Sequence, residues 1–337
     1  MTASPPISIL LPVRDGAATL EDAIASVEAQ TDPDFEVLAV DDGSTDATPD
    51  ILEAWAGRDS RVRVLRQPAG GIVAALERSR AEARGRYLAR MDADDVCEPE
   101  RLARQRELLE AERTLVGCGC FVRYFPREAV REGARRYEEW MNGSSSAEEV
   151  DREVFVECPL AHPTFFLRAD SVQEVGGYRD PGWAEDHDLL LRLWEAGGRL
   201  AKVPEVLFRW REGEGRLSRV GATYAQEAFV RCKVHFLRRT LLRDREGAII
   251  WGAGPVGKAF ARELIRGGVP LRAFVEVDPR KIGQEIHGAP VLDTDAGLTL
   301  RGGLHLAAVG QPGARGTLRG ILSGAGFEEM RDFVAVA

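Results

Sequence analysis

The run Met91-Asp92-Ala93-Asp94-Asp95 follows a short apolar segment and precedes a helix predicted to begin near Pro99. An apolar strand that leads directly into carboxylates places them at the carboxyl edge of a parallel sheet, where open α/β folds bind ligands. We expect Asp92 and Asp94 to face the same side, because alternate residues of an extended segment do so. The run predicts a site for a hard divalent cation. Taken alone, it is equally typical of a solvated acidic turn that caps the following helix.

Apolar runs and helical patterns alternate on both sides of this acidic run. Residues 7–13 form a nearly continuous apolar segment, typical of a strand covered on both faces, and residues 35–40 and 62–65 are predicted as further strands. Helical spacing of apolar residues follows the first two, at 18–30 and 49–56. Repeated strand and helix units of this length predict a parallel α/β sheet.

The length of 337 residues exceeds what one hydrophobic core usually serves, so we expect two domains. Residues 224–242 form one long amphipathic pattern, and a new strand and helix unit starts at 248. The predicted division is residues 1–222, a connecting helix over 223–245, and a smaller domain over 246–337.

A glycine-rich loop opens the smaller domain. Gly252, Gly254 and Gly257 follow a strand and begin a helix, and Glu276 comes about twenty residues later, near the end of the next strand. Such a loop suits phosphate, because free amides point out of a helix N-terminus. We expect these four residues to bind a nucleotide-type ligand. The segment resembles the small Rossmann-like domains of some sugar-modifying proteins, for which ligand binding, assembly and a vestigial site all remain open.

Composition narrows the function. Residues 246–337 carry ten Lys plus Arg and ten Asp plus Glu, so the whole net charge of -9 lies in residues 1–245. This argues against nucleic acid as a partner, since backbone binding needs a concentrated basic surface. The five cysteines show no metal-binding spacing. No signal peptide or transmembrane segment is predicted, so we expect a cytoplasmic protein, with peripheral membrane contact left open.

Four motifs occur in the order and spacing of family 2 glycosyltransferases, which the chain resembles over about residues 5 to 240. They are Ile7-Ser8-Ile9-Leu10-Leu11-Pro12-Val13, Val40-Asp41-Asp42-Gly43-Ser44-Thr45-Asp46, Ala89-Arg90-Met91-Asp92-Ala93-Asp94-Asp95, and Ala184-Glu185-Asp186-His187-Asp188. The resemblance implies a GT-A fold, followed here by the smaller Rossmann-like α/β domain. It also implies transfer of a sugar from a nucleoside diphosphate donor with inversion at the anomeric carbon.

The resemblance also implies roles for single residues. Pro12, Asp41 and Asp42 would lie at the nucleotide, with Asp42 accepting from the base or ribose and Asp41 fixing the loop. Asp92 would lie near the ribose and the metal. Asp94 would bind Mn²⁺ or Mg²⁺, which offsets the charge that develops on the departing diphosphate.

Asp186 is the general base that the resemblance implies, because the acceptor hydroxyl must lose its proton as it attacks. Acidic residues also favour a helix N-terminus, and both descriptions can hold for Asp186. Arg216 lies where a loop usually closes over the diphosphate, although a solvated basic loop is the alternative. His162 is either a ligand contact or a packed, hydrogen-bonded residue. Phe208-Arg209-Trp210 lacks the Gln of processive members, which predicts one sugar per encounter.

The sequence thus predicts a metal-assisted glycosyltransferase of cell-envelope or surface glycan synthesis, with a UDP-sugar as the expected donor and a glycan or lipid-linked acceptor. A sugar nucleotidyltransferase would carry a Gly-rich basic loop after the first strand, and Arg14-Asp15-Gly16 differs from one. A non-catalytic nucleotide-sugar-binding or sensor protein on a transferase scaffold is the other alternative. The intact Asp94 and Asp186 argue against it.

Overall fold

A computed structural model describes residues 5–213 and 221–337. Within these residues the chain divides into two compact units. The first contains residues 5–150, 159–180 and 192–213, and the second contains 151–158, 181–191 and 221–337. The second unit therefore includes two segments from the part of the sequence assigned above to the first domain. The division at residues 222 and 245 stays a prediction.

An eight-stranded sheet forms the centre of the first unit. Its strands in chain order are β1 (Ile7–Val13), β2 (Phe35–Asp42), β3 (Val62–Gln67), β4 (Tyr87–Arg90), β5 (Val96–Cys97), β6 (Leu115–Phe125), β7 (Phe166–Arg168) and β8 (Arg199–Arg211). Across the sheet the order is β3-β2-β1-β4-β7-β6-β8-β5. The four neighbouring strands β3, β2, β1 and β4 run parallel, and β7 is antiparallel to β4 and β6. β8 runs parallel to β6 and antiparallel to β5.

The order of the strands fixes where this sheet can bind a ligand. β1 and β2 are buried along their whole length, as their apolar runs predict. β1 lies between β2 and β4, so the chain order reverses there, and the carboxyl ends of β1 and β4 flank a topological switch point. The predicted acidic run follows β4 directly.

Eight α-helices precede residue 196 in the described part of the chain: α1 (Leu20–Glu28), α2 (Thr48–Arg58), α3 (Ile72–Glu82), α4 (Arg101–Ala111), α5 (Glu132–Met141), α6 (Ala147–Glu153), α7 (Ala169–Glu174) and α8 (Glu185–Glu195). α1 buries Leu20, Ala23, Ile24 and Val27, the residues that give it helical spacing in the sequence. These side chains join a core with alternate residues on one face of β1 and one face of β2.

The second unit carries its own sheet. Its elements are α9 (Gln226–Arg239), β9 (Ala248–Trp251), α10 (Pro255–Arg266), β10 (Leu271–Val275), β11 (Glu285–Ile286), β12 (Ala289–Leu292), α11 (Thr294–Thr299), β13 (Leu304–Ala307), α12 (Ala314–Gly324) and β14 (Phe333–Ala335). The strand order is β11-β12-β10-β9-β13-β14, parallel except for β11. Apart from β11 this is the order of a Rossmann sheet, which confirms the predicted smaller α/β domain.

None of the helices described has the length and apolar character that crossing a membrane requires.

Candidate active site

The three carboxylates after β4 lie close together. One oxygen from each of Asp92, Asp94 and Asp95 lies within 4.8 Å of the other two. The chain does not stay extended here, as the spacing suggested, because residues 93 and 94 form a turn and the Asp95 N–H approaches the Asp92 carbonyl at 3.4 Å. The turn, and not strand alternation, gathers the carboxylates. It also adds Asp95, which the Asp-x-Asp pattern does not single out.

The end of β8 fixes this acidic turn. The main-chain N–H of Arg211 donates to Asp95 Oδ1 at 2.7 Å. The Arg211 side chain donates from Nε to the Asp94 carbonyl at 2.5 Å and from Nη2 to Asp22 Oδ2 at 2.8 Å. Arg211 therefore links the end of β8 to the acidic turn and to α1. In the sequence it appears only as a basic residue near the expected loop over the diphosphate.

A buried arginine lies directly behind the same turn. Arg90, the last residue of β4, is 5% exposed and forms an ion pair with Asp92. Burial alone would lower the pKa of Arg90, but the charge of Asp92 and its hydrogen bond outweigh burial and raise that pKa. Arg90 thus stays charged and orients the Asp92 carboxylate. Its position at the end of a buried strand, next to carboxylates, is the signal in the sequence that could have identified it.

Asp41 and Asp42 end β2, and both are buried. Asp41 Oδ1 accepts from the Ser44 N–H at 3.0 Å, so it fixes the loop as the resemblance implied. Asp42 accepts from the main-chain N–H groups of Gly70 and Gly71, each at 2.8 Å, and from Gln67 Nε2 at 2.7 Å. Asp42 therefore shapes the loop after β3, and its contact with a nucleotide stays a prediction.

Gly43 follows these two carboxylates with a φ of +73°. A Cβ at this position would lie 2.7 Å from the Ala69 main-chain nitrogen, so only glycine allows the loops after β2 and β3 to approach this closely.

The loop after β1 is tied to the loop after β2. Asp15 Oδ1 accepts from the Thr45 N–H at 2.7 Å, and the Asp15 N–H donates to Ser44 Oγ at 3.0 Å. Asp15 thus performs a structural task in the loop that follows β1. Pro12 is buried within β1, beside Val40 of β2.

His162 is a packed residue, the second of the two alternatives drawn from the sequence. It is 7% exposed, and its Nε2 lies 3.2 Å from the Tyr178 hydroxyl. Burial, reinforced by the positive charge of Arg90, holds the pKa of His162 well below its usual range. It is therefore a neutral member of the core.

Asp186 lies in the first turn of α8 and belongs to the second unit. Its Oδ1 accepts from the His187 N–H at 2.7 Å, and Glu185 beside it accepts from the Tyr224 hydroxyl. His187 is fully buried, and its Nε2 donates to the Val154 carbonyl at 2.7 Å. His187 is thus a structural residue, and the catalytic role of Asp186 stays a prediction.

The glycine-rich loop lies between β9 and α10, at the point where the second sheet reverses its strand order. A Cβ on Gly257 would lie 1.9 Å from the Gly252 carbonyl oxygen, so the helix packs onto the loop only with glycine there. In contrast, among the described residues no atom beyond Gly254 and its two chain neighbours lies within 4 Å of a Cβ built on Gly254. Glu276 Oε2 accepts from the Ala253 N–H at 3.1 Å and from Lys281 Nζ at 2.8 Å, which anchors the loop to the end of β10.

Arg216 falls outside the residues that the structure describes.

The residues that form most of the first sheet and the acidic turn match a known protein family. A family model described as "Glycosyl transferase family 2" matches residues 8–176, half of the chain, from β1 through the acidic turn to β7. The chain belongs to glycosyl transferase family 2. It is a glycosyltransferase, as the motifs predict.

Two relatives illustrate the similarity. This glycosyltransferase is 31% identical over 232 residues to the putative glycosyltransferase EpsE of Bacillus subtilis (strain 168), covering 67% of this chain and 80% of the relative. It is 28% identical over 240 residues to the amylovoran biosynthesis glycosyltransferase AmsE of Erwinia amylovora, covering 66% of this chain and 88% of the relative.

Solved structures share the fold. TarS 1–349 of S. aureus in complex with UDP-GlcNAc matches with a TM-score of 0.57 and 16% identity, over 77% of this chain and 72% of that one. The mannosyltransferase PcManGT from Pyrobaculum calidifontis, in complex with GDP-Man and Mn²⁺, matches with a TM-score of 0.54 and 16% identity. The match covers 97% of this chain and 82% of that one. The glycosyltransferase therefore has the predicted GT-A fold.

Proposed function

We propose that this glycosyltransferase moves a single sugar from a nucleoside diphosphate donor to an acceptor hydroxyl, with inversion and with the help of a divalent cation. The observation that carries the proposal is the gathering of Asp92, Asp94 and Asp95 in one turn beside a topological switch point.

The acidic turn suits Mn²⁺ or Mg²⁺, because both cations prefer carboxylate oxygens. Asp94, which is exposed, and Asp92 would hold the cation, and Asp95 would complete or support the set. A cation held there offsets the negative charge that a departing diphosphate develops. The similar fold of PcManGT, solved with Mn²⁺ and GDP-Man, supports this assignment.

A nucleotide at the edge of the first sheet would meet Pro12, Asp41 and Asp42. The buried carboxylates and their hydrogen bonds to the loops give this edge a fixed shape before a donor arrives. Arg216 would neutralise phosphate oxygens through bidentate hydrogen bonds from its guanidinium group. We propose a UDP-sugar as the donor, with GDP-sugars as the competing class, since the two similar structures carry one of each.

Inversion requires a base on the face of the sugar opposite the leaving group. We assign that role to Asp186, the base that the family resemblance implies, which lies in the first turn of α8. The acceptor is a glycan or a lipid-linked glycan of the cell envelope or surface, in line with the name of AmsE, an amylovoran biosynthesis glycosyltransferase.

For the second domain, residues 246–337, we propose a nucleotide-type ligand at Gly252, Gly254 and Gly257. Packing accounts for Gly252 and Gly257, whereas the space around Gly254 supports close approach by a ligand. Glu276, already bonded to Ala253 and Lys281, would set the loop and reach a ribose.

The decisive screen measures melting temperature and nucleoside diphosphate release for the full chain with UDP- and GDP-sugars, each with Mn²⁺, Mg²⁺ or EDTA. A ligand of the native state raises the melting temperature by mass action. We expect one donor class to raise it only with a cation, and Asp94→Asn to abolish the cation-dependent part. The matched control is Asp34→Asn, an exposed carboxylate just before β2, at the opposite edge of the sheet.

The role of the cation would be refuted if nucleoside diphosphate release were as fast with EDTA as with a cation and were unaffected in Asp94→Asn. Donor binding with no transfer of the sugar to an acceptor or to water would instead favour the non-catalytic sensor alternative.

A further inference from the structure

The first turn of α8 is held by residues that lie outside α8. The Tyr224 hydroxyl lies 2.7 and 2.9 Å from the two carboxylate oxygens of Glu185 and donates to them. Glu185 is 5% exposed, so this carboxylate sits away from bulk water and depends on its partners within the protein. Glu185 directly precedes Asp186. A change in the position of Glu185 therefore moves the main chain of Asp186.

Helix α9 contacts the segment that leads into α8. Arg231 Nη2 donates to the Gly182 carbonyl at 3.1 Å, and the ring of His235 lies 5.4 Å from that of Trp183. Trp183 in turn donates from Nε1 to Asp188 Oδ1 at 3.0 Å. Gly182 and Trp183, which precede Asp186, thus contact α9. Trp183 is also bonded to Asp188, which follows Asp186.

The same helix is fastened to the C-terminal sheet. Lys233 of α9 is 7% exposed, and its Nζ donates to the Val156 carbonyl at 2.5 Å and to the Val336 carbonyl at 3.0 Å. Val336 directly follows β14. The neighbouring segment is fastened as well, because Arg315 and Arg319 of α12 both pair with Glu153, at 2.9 and 2.7 Å.

We propose that Tyr224 is a positioning residue for the catalytic base, and that α9 makes the Rossmann-like domain part of the transferase machinery. This rests on the proposed function, in which Asp186 is the base. Through Lys233, α9 is connected to the last strand of the second sheet. Through Arg231 and Tyr224, the same unit holds the start of α8. Order in the C-terminal domain is therefore transmitted to the residue that accepts the proton.

The physical basis is the strictness of proton transfer. A general base acts only within hydrogen-bond reach of the proton it takes, and a displacement of about 1 Å costs up to ~100-fold in rate. Loss of the Tyr224 hydroxyl leaves a buried carboxylate beside the base with fewer partners, which favours a shift of the turn. In the proposed function Tyr224 is not among the residues that hold the donor. The effect should therefore fall on kcat and spare the donor KM.

The test is Tyr224→Phe in the full chain, with Tyr87→Phe as the matched control. The Tyr87 hydroxyl is buried and has no hydrogen-bond partner among the described residues, so its removal breaks no hydrogen bond to a carboxylate. We expect Tyr224→Phe to lower kcat by about 10- to 100-fold with the donor KM unchanged within about twofold. Tyr87→Phe should retain the parent kcat.

Variants at Glu185 separate positioning from general damage. Glu185→Gln keeps an oxygen that accepts from Tyr224 and should retain most of kcat, whereas Glu185→Ala should lower kcat at least as much as Tyr224→Phe does. Combining Glu185→Ala with Tyr224→Phe should cost less than the sum of the two single losses, because both variants remove the contact between Glu185 and Tyr224. Should Tyr224→Phe fail to fold, the comparison of Gln with Ala at position 185 decides alone.

The link to the C-terminal sheet is tested by Lys233→Met, which should lower kcat more than donor affinity. A parental kcat in Tyr224→Phe, or equal kcat for the Gln and Ala variants at position 185, would overturn the inference. Asp186→Asn, measured alongside, distinguishes this from failure of the proposed function. If Asp186→Asn is inactive while Tyr224→Phe is fully active, only the inference falls; if Asp186→Asn is active, the proposed function falls.

Discussion

Arg211 and Asp95 are 116 residues apart in the chain, yet the main-chain N–H of Arg211 lies 2.7 Å from Asp95 Oδ1. This bond joins the end of β8 to the acidic turn after β4, and the Arg211 side chain adds a bond to the Asp94 carbonyl. The geometry of the candidate cation site is therefore set by a strand that carries none of its carboxylates.

Arg211→Met removes the side-chain bonds to the Asp94 carbonyl and to Asp22 but keeps the main-chain bond to Asp95. Residues that support metal ligands contribute about 10- to 100-fold to affinity. We expect Mn²⁺ to bind at least about 10-fold more weakly, as measured by calorimetric titration of the full chain. Arg209→Met, which removes an exposed arginine paired with Glu98, is the control. Equal Mn²⁺ affinity in both variants would contradict this role for Arg211.

Arg90→Met should destabilise the first unit, because it leaves Asp92 without its buried partner. Breaking a buried ion pair by removing one member costs about 3 to 5 kcal/mol in general. We expect the free energy of unfolding in urea to fall by an amount of this order. Adding Asp92→Asn to Arg90→Met should recover part of the loss. If the double variant is no more stable than Arg90→Met alone, the pair is not what stabilises this region.

Acid should destabilise the protein partly through His187. Burial, together with the charge of Lys233, lowers the pKa of His187 from 6.5 to about 3, although its bond to Val154 opposes this. Between pH 6.5 and 3 the unfolded chain binds a proton that the folded chain does not, so stability falls as pH falls through this window. One group costs about 1.4 kcal/mol per pH unit there. Urea unfolding at pH 7 and pH 5 should show a smaller difference in His187→Gln than in the parent chain.

Alkali should act in the opposite direction through Lys233. Burial lowers the pKa of Lys233 from 10.5 to about 8, against the attraction of Glu157. Between pH 8 and 10.5 the unfolded chain holds a proton that the folded chain has lost, so this contribution to stability rises with pH and is lost as pH falls to 8. The full window corresponds to about 3 kcal/mol. Unfolding between pH 8 and 9.5 should show this rise in the parent chain, and Lys233→Met should show a flatter profile.

The sequence predicts those features that depend on local pattern. The apolar runs of β1 and β2, the helical spacing of α1, and the acidic run after β4 all appear where their residues indicate. The glycine-rich loop likewise falls between a strand and a helix. The strands and the helix follow from the period of side-chain direction along the chain, and the loop follows from the spacing of its glycines.

Features that depend on distant neighbours could not be read in this way. Asp95 joins Asp92 and Asp94 because the chain turns, and no spacing rule identifies its bond to Arg211. Asp42 bonds to a loop 28 residues further along the chain. The Tyr224 hydroxyl reaches Glu185 across 39 residues. Such contacts are decided by the packing of whole elements, which a single sequence does not display.

The most direct test of the central claim is the turnover of Asp186→Asn with a donor that the parent enzyme uses. Asparagine keeps the size of the side chain but cannot accept the proton of the acceptor hydroxyl. General base catalysis typically contributes about 100- to 10,000-fold, so kcat should fall by a factor in this range while calorimetry shows donor affinity within about twofold of the parent. Turnover at the parental rate would contradict the assignment of Asp186 as the base, and with it the mechanism proposed for this glycosyltransferase.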